Sequence, residues 1–372
     1  MEGIKMKTFI FIRNKKYRPS TYYRISQYLE GVSNKSFELI EYETNEFYNK
    51  KAQSKFKRIV NTLWYSLIPG YINRLSNIFK ILKRDQEYSV FIQRECFPKV
   101  VGPIGRILFK KMIHNASNIY WDFDDNIFES KEITKFEKEL LFEYSDVIFV
   151  GNQYLWGKVE SSNKKKVTII NTTDTMMECI NLNDINRKRE SLYHNELSLV
   201  WVGTKGNLKY LEHIISDLDK SASKLKGKKL VLKVICDGEL ETQTKFLIVK
   251  NIKWERQVAF DEMLSAHIGL MPLIETEFTK GKCAFKAVQA IGCGLPVIVS
   301  DVGMNKEVVA NQNGVLIDNN RGWSEAVIDL SKDIDMWTKK SILSRELWLK
   351  EYNSRKNRDL LLSKVLKRED AQ

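Results

Sequence analysis

Short apolar runs of strand length alternate with segments of helical period through the first half of the chain, a pattern that predicts a parallel α/β sheet. Thr8–Ile12 reads as the first buried strand, followed by a polar loop, Arg13–Ser20, and a helix from about Thr21 to Leu29. Phe37–Tyr42, Val90–Gln93, Ile119–Trp121, Val147–Val150 and Val167–Asn171 read as further strands, with a helix over Gly105–Asn115. The alternation then lapses: Thr172–Glu196 is polar and without period, as a connection between domains is. It resumes with strands at Leu199–Val202, Lys229–Ile235, Leu247–Lys250 and Gly314–Ile317. Helices are predicted over Gln257–Ala266, Arg321–Leu330 and, last, Ser354–Lys367.

In open α/β sheets ligands bind outside the carboxyl ends of the strands, which makes Tyr17, Arg18, Ser20 and Arg24 candidate site residues after the first strand. No GxGxxG follows that strand, which argues against a nicotinamide or flavin enzyme. The strand at Ile119–Trp121 runs into Asp122-Phe123-Asp124-Asp125, three carboxylates within four residues. Such a run positions hydroxyls or a metal, or caps a turn, since Asp favours both.

The stretch Thr279–Val309 carries the densest signal. Gly281 precedes a helix whose apolar face includes Phe285, Val288 and Ile291; Gly294 is the expected C-terminal cap, and Pro296 opens a buried strand at Val297–Val299. A helix start after a glycine loop offers backbone N–H groups and a positive dipole end to a phosphate. Lys282 and Lys286 are four apart, a spacing that turns both toward one anion; the alternative is an ordinary αβ unit with two solvated lysines.

At 372 residues the chain suits two domains, and its 43% hydrophobic and 29% charged content is that of a globular protein. No apolar run approaches the roughly 20 residues of a membrane span, and the N-terminal run before Arg13 predicts no secretory signal. Five scattered cysteines and four isolated histidines predict neither disulfides nor a metal site. The net charge of +13 calls for an anionic partner. It is uneven: Lys50–Arg84 holds nine Lys or Arg and no acid, interleaved with aromatic and aliphatic residues. That composition suits an anionic membrane surface, the alternative being a solvated helical face. No zinc finger, RNA-binding aromatic motif or helix-turn-helix signature points to nucleic acid.

The run Gln289–Ser300, QAIGCGLPVIVS, resembles the EAMACGLPVIAS-type segment of the retaining nucleotide-sugar glycosyltransferases of family four, which have the GT-B fold. The longer stretch is similar to a bacterial subgroup with a GKC-x-FK-x-x-Q pattern. The resemblance implies two Rossmann-like parallel-sheet domains facing a cleft: 1–173 on the acceptor side and 197–350 on the donor side. A linker at 174–196 and a helix in 351–372 returning toward the first domain complete that picture. In that family a Glu meets the donor ribose where Gln289 stands, and a second Glu meets the sugar where Gly281 stands. The turn Gly203-Thr204-Lys205 falls where the family grips the diphosphate, with Lys209 an alternative cation, and Lys282, Phe285 and Lys286 complete the implied donor site. Asp122, Asp124 and Asp125 stand where other members carry a His-Asp near the reacting sugar, which makes them the candidate catalytic, acceptor-side residues.

The implied reaction is transfer of a sugar, with retention, from a nucleotide diphosphate to a glycan or lipid-linked acceptor. It implies no bound metal or other cofactor, and it fits bacterial cell-surface polysaccharide synthesis at the cytoplasmic face of a membrane. Two alternatives stand beside it: a catalytically inactive sugar-nucleotide-binding protein, and a basic nucleic-acid binder.

Overall fold

The computed structural model describes residues 6–33, 35–50, 54–129, 132–310 and 312–366. Residues 51–53 of the basic segment and Lys367 of the last predicted helix lie outside them. The chain divides into two units, 1–172 with 356–372, and 173–355.

Unit 1 is built on a six-stranded, all-parallel sheet in the order β2-β1-β3-β4-β5-β6, comprising β1 (Lys7–Ile12), β2 (Phe37–Glu41), β3 (Tyr88–Gln93), β4 (Asn118–Phe123), β5 (Val147–Val150) and β6 (Val167–Ile169). All of β3 and five of six residues in β1 and β4 are buried, which is why these strands read as near-continuous apolar runs. Ile10, Ile12, Phe91, Tyr120 and Phe149 form one side of a core with Ile25 and Tyr28 from helix α1 (19–29). Leu361, Leu362 and Val365 of the C-terminal helix, Ser354–Val365, belong to the same core.

The basic segment forms a long helix, α2 (55–82), whose middle turn, Leu63–Leu67, is widened to π geometry. Pro69 explains it. Proline supplies no N–H to the carbonyl four residues back, that of Tyr65, and its ring crowds that carbonyl. The Thr44 hydroxyl donates to the Tyr65 carbonyl instead, at 2.6 Å, and the Tyr42 hydroxyl to that of Leu67 at 3.1 Å. Arg74 of α2 is fully buried and donates to the carbonyls of Ile12, Ile40 and Cys96, near the carboxyl ends of three adjacent strands. Helix α3 (Gly102–Asn115) packs on α2 through Tyr71, whose hydroxyl donates to the Val101 carbonyl at 2.7 Å. A Cβ on Gly102 would lie 2.7 Å from that hydroxyl, and Gly102 sits at φ +66.

Unit 2 holds a second six-stranded parallel sheet in the order β12-β11-β10-β7-β8-β9, comprising β7 (Glu196–Gly203), β8 (Lys229–Cys236), β9 (Ile248–Lys253), β10 (Ile268–Met271), β11 (Val297–Ser300) and β12 (Gly314–Ile317). Its core gathers Leu199, Trp201, Leu232, Leu270, Val327 and Trp337.

The stretch read as a connection contains a regular helix, α4 (Leu182–Tyr193), inside unit 2. Its buried positions are Asn186, Arg189 and Tyr193, a stripe at helical spacing made of polar-headed residues, which hydrophobic periodicity does not register. The Arg189 guanidinium donates to the carbonyls of Met263 and Leu264, and to those of Cys293 and Gly294. It thereby closes the C-terminal ends of α5 (Arg256–Leu264) and α6 (Phe285–Gly292). Burial without a carboxylate partner lowers its pKa to about 10.

His267 lies under this helix. Its Nδ1 accepts from the Ser198 backbone N–H at 3.0 Å, so Nε2 carries the proton and donates to the Arg189 carbonyl at 3.0 Å. Burial lowers its pKa from 6.5 to about 4, with Arg189, Lys228 and Lys233 adding to the effect. A depressed histidine contributes stability above its unfolded pKa and loses it as pH falls through the folded one. Unit 2 is therefore expected to lose up to about 3 kcal/mol between roughly pH 6.5 and 4 from this residue. Urea midpoints taken across that window check it: His267→Gln should flatten the loss, and an unchanged slope would assign it to other groups.

Candidate functional site

In unit 1 the segments leaving β1, β3 and β4 bring an alternating network of charges to one sheet edge. Glu95 accepts from Arg13 Nε at 2.5 Å; Arg13 and Arg94 both reach Glu132 Oε2, at 3.0 and 2.9 Å; Arg94 Nη1 reaches Asp125 at 3.0 Å and Asp124 at 3.5 Å. Arg94 is held in the left-handed region, φ +64. Its N–H donates to the Asp122 carbonyl at 2.7 Å, and its own carbonyl accepts from the Trp121 indole at 2.9 Å. A non-glycine residue there carries strain of order 1 kcal/mol or more, and these two bonds across to β4 hold it.

Burial, reinforced by Asp125 and outweighing Arg94, raises the pKa of Asp124; burial likewise raises that of Glu95 despite Arg13. Glu132 is held below the usual range because Arg94 and Arg13 together overcome its burial.

The predicted unit 1 residues separate into three groups. Asp124 and Asp125 join the Arg94 network, with the Asp125 side chain 28% exposed. Asp122 turns the other way, into the interior, where Arg24 Nε donates to both of its oxygens at 3.0 Å. Arg24 also donates to the Ile170 carbonyl at 2.7 Å and to the Thr172 hydroxyl at 3.2 Å, and both members of the pair are only 2% exposed. This buried pair joins α1 to β4 and the chain beyond β6. Tyr17, Arg18 and Ser20 lie on the loop side. Arg18 forms a two-pronged pair with Glu43, Tyr17 stacks on Tyr48 with ring centroids 4.4 Å apart, and the Ser20 hydroxyl accepts from Gln93 at 3.4 Å.

In unit 2 the turn after β7 meets the start of α6. A Cβ on Gly203 would lie 2.4 Å from the Trp201 ring and 3.0 Å from Lys286 Cε, so the absence of a side chain lets the Lys286 stem lie along this turn. Its ammonium stands 5.9 Å from the Trp201 ring centroid. The Lys205 N–H donates to Asp237 at 2.6 Å, the stem of Lys205 lies over Gly238, and the Thr204 hydroxyl accepts from Asn207 at 2.9 Å.

Two expectations about the helix start are corrected. Gly281 has φ −78 and ends a short helix, Glu277–Lys280, whereas the left-handed residue is Ala284, φ +47, at the N-cap of α6. Because α6 begins at Phe285, Lys282 precedes the helix and shares no helical face with Lys286. Its ammonium lies 5.0 Å from the Phe278 ring centroid instead. Phe285 is half-buried at the helix's first position, and Ala284 has no side-chain oxygen with which to cap the first-turn amides. Gly294 takes φ +71 just past the helix, the conformation that a glycine stop provides.

Gln289 is buried and donates from Nε2 to Asp174 Oδ2 at 3.1 Å, while Asp174 Oδ1 pairs with Arg256 at 2.7 Å. A carboxylate only accepts, so Asp174 fixes the amide with nitrogen toward itself and Oε1 on the opposite side. Asp174, Arg94 and Glu132 were not singled out from the sequence. Asp174 sits in the aperiodic stretch, and the other two acquire a role only through long-range pairing.

Replacing one member of the Arg24–Asp122 pair strands the other in the interior. Asp122→Asn or Arg24→Met is expected to cost about 3–5 kcal/mol in urea unfolding, whereas Asp125→Asn changes stability by no more than about 1 kcal/mol. An Asp122→Asn protein as stable as the parent would remove the structural role from this pair.

Residues 196–333 match the family described as Glycosyl transferases group 1. No curated protein matches the chain in sequence. Among solved structures, Anabaena Alr3699/HepE in complex with UDP and glucose is similar over 98% of this chain and 100% of its own, with a TM-score of 0.59 and 12% identity. WaaG, a glycosyltransferase involved in lipopolysaccharide biosynthesis, is similar over 95% and 99%, at 0.53 and 13%. TarM from S. aureus is similar over 80% of this chain and 59% of its own length, at 0.53 and 12%. At these identities the likeness is one of fold. Residues 196–333 are a glycosyl transferases group 1 domain, carried in a chain of GT-B fold.

Proposed function

We propose that the protein is a retaining glycosyltransferase that moves a sugar from a nucleotide diphosphate to a glycan or lipid-linked acceptor, in bacterial cell-surface polysaccharide synthesis. The observation that carries the reading is the family match over 196–333, because that span contains Lys286 lying along the Gly203 turn at the start of α6. Sugar transfer leaves negative charge on the departing diphosphate. Lys286, with Lys282 just before the helix, supplies cations to that charge, and the first-turn amides of α6 add a positive dipole end. The Gln289 amide, turned by Asp174, presents an acceptor oxygen toward a ribose hydroxyl, doing with one oxygen what a glutamate does in the resembled family.

On unit 1, Asp124 and Asp125, held by Arg94, bind and orient acceptor hydroxyls, and Asp122 supports them from the interior through Arg24. The chemistry asks for no resident metal. The basic segment 50–84 holds the protein at an anionic membrane surface, where a lipid-linked acceptor is found. A second reading, a sugar-nucleotide-binding protein without turnover, is favoured by the absence of carboxylates at Gly281 and Gln289.

Because structures similar in fold were solved with UDP, uridine diphosphate is the first nucleotide to test. Lys286→Ala should weaken its binding by tenfold or more, in line with about 1.5–3 kcal/mol for a charge-assisted hydrogen bond, and uridine monophosphate binding should fall less. A Lys286→Ala protein that binds the diphosphate normally would return the donor site to Lys205 and Lys209.

A donor screen with purified protein separates transfer from mere binding. Once an acceptor is found, Asp125→Asn should lower turnover and leave donor affinity near its original value. Equal loss of both would move Asp125 off the acceptor side.

A further inference from the structure

The exposed apolar residues of unit 1 concentrate on two packed helices. On α2, Phe56, Trp64, Ile72 and Phe79 are exposed, Phe56 at 76% and Trp64 at 63%. On α3, which lies outside the segment assigned to the membrane above, Ile104 and Ile107 are exposed at 61% and 68%. The π turn of α2 adds one residue to the spacing where Pro69 interrupts the ladder, so the outward stripe runs on from Leu63 to Ile68 and Ile72. The seam between the helices is Tyr71 against Gly102 and Gly105. Ile72 follows Tyr71 in the chain and Ile104 precedes Gly105, so both helices carry an exposed isoleucine next to the residues that join them.

The charge on both helices has one sign. Neither 50–84 nor 96–121 contains an Asp or Glu, and α3 adds Arg106, Lys110 and Lys111, all exposed, to the cations of α2. That pattern decides between occupants. A second copy meeting this face about a two-fold axis would set cations against cations, whereas an anionic bilayer offers phosphates to the cations and hydrocarbon to the stripe. Among the described residues no helix is long and apolar enough to cross a membrane.

We propose that α2 and α3 together form a single bilayer-facing surface, with their outward aromatic and aliphatic side chains inserted among anionic lipids and their cations at the headgroups. This deepens the membrane part of the function proposed above: attachment depends on insertion through a second helix as well as on the charge of the first. It does not depend on sugar transfer.

The test uses the full chain and phosphatidylglycerol–phosphatidylcholine vesicles, with no donor present. Ile104→Ser/Ile107→Ser, which leaves α2 untouched, should lower vesicle partitioning at least tenfold, as should Phe56→Ser/Trp64→Ser. Both variants should keep the thermal midpoint of the parent. Parent binding should weaken with added salt yet persist in part, and the blue shift of tryptophan emission on vesicle addition should shrink in Trp64→Phe. Normal binding by the α3 variant would overturn the proposal, as would complete loss of parent binding in salt. So would a parent dimer that the α3 substitutions dissociate, because the occupant would then be a second copy. Failure of sugar transfer would leave every one of these readouts in place.

Discussion

Parallel strands and helices all end in carbonyl groups that their own ladders leave without donors, and both units of this protein meet that constraint with a buried guanidinium. In unit 1 Arg74 reaches down from α2 to three carbonyls near the strand ends, that of Ile12 shared with the Tyr42 N–H; in unit 2 Arg189 closes two helix ends from α4. An arginine serves because five donors in a planar fork answer several acceptors at once, where a lysine presents a single point charge. Burial draws both below the ordinary arginine pKa, at Arg74 against the nearby Glu95 and Glu137 and at Arg189 with no carboxylate to oppose it.

The edge of unit 1 uses the same residue type differently. Arg13 and Arg94 sit among four carboxylates in an alternating chain, and the backbone at Arg94 is held in the left-handed region to bring its guanidinium there. Burial raises Asp124 and Glu95 while the two arginines hold Glu132 down, so carboxylates within one network are driven in opposite directions. Asp122, two residues before Asp124 in sequence, is instead closed on Arg24 in the interior.

Much of the architecture was legible because buried parallel strands are apolar on both faces. Val147–Val150 was read with its observed limits, and Val297–Val299 fell one residue short of β11. The helix Leu182–Tyr193 was illegible for the opposite reason, since its inward stripe is Asn, Arg and Tyr and the period of 3.6 is present only in polar groups. At the start of α6 the residue types were visible but their geometry was not. An alanine in the left-handed region has no sequence signal, and it moves the helix start past Lys282. Gln289 could be singled out, yet its partner Asp174 lies 115 positions away, a separation that no local pattern spans.

The division of the chain bears on the order in which it folds. The core of unit 1 includes Leu361, Leu362 and Val365, so its 1–172 portion lacks three interior side chains until everything between has been synthesised. Unit 2, by contrast, is one uninterrupted stretch, 173–355, and its core residues are all contained within it. On the ribosome, where residues emerge at about 5–20 per second, unit 2 is therefore the half that can finish first. The earlier-made half waits, its sheet in part uncovered, for a helix that is made only after unit 2.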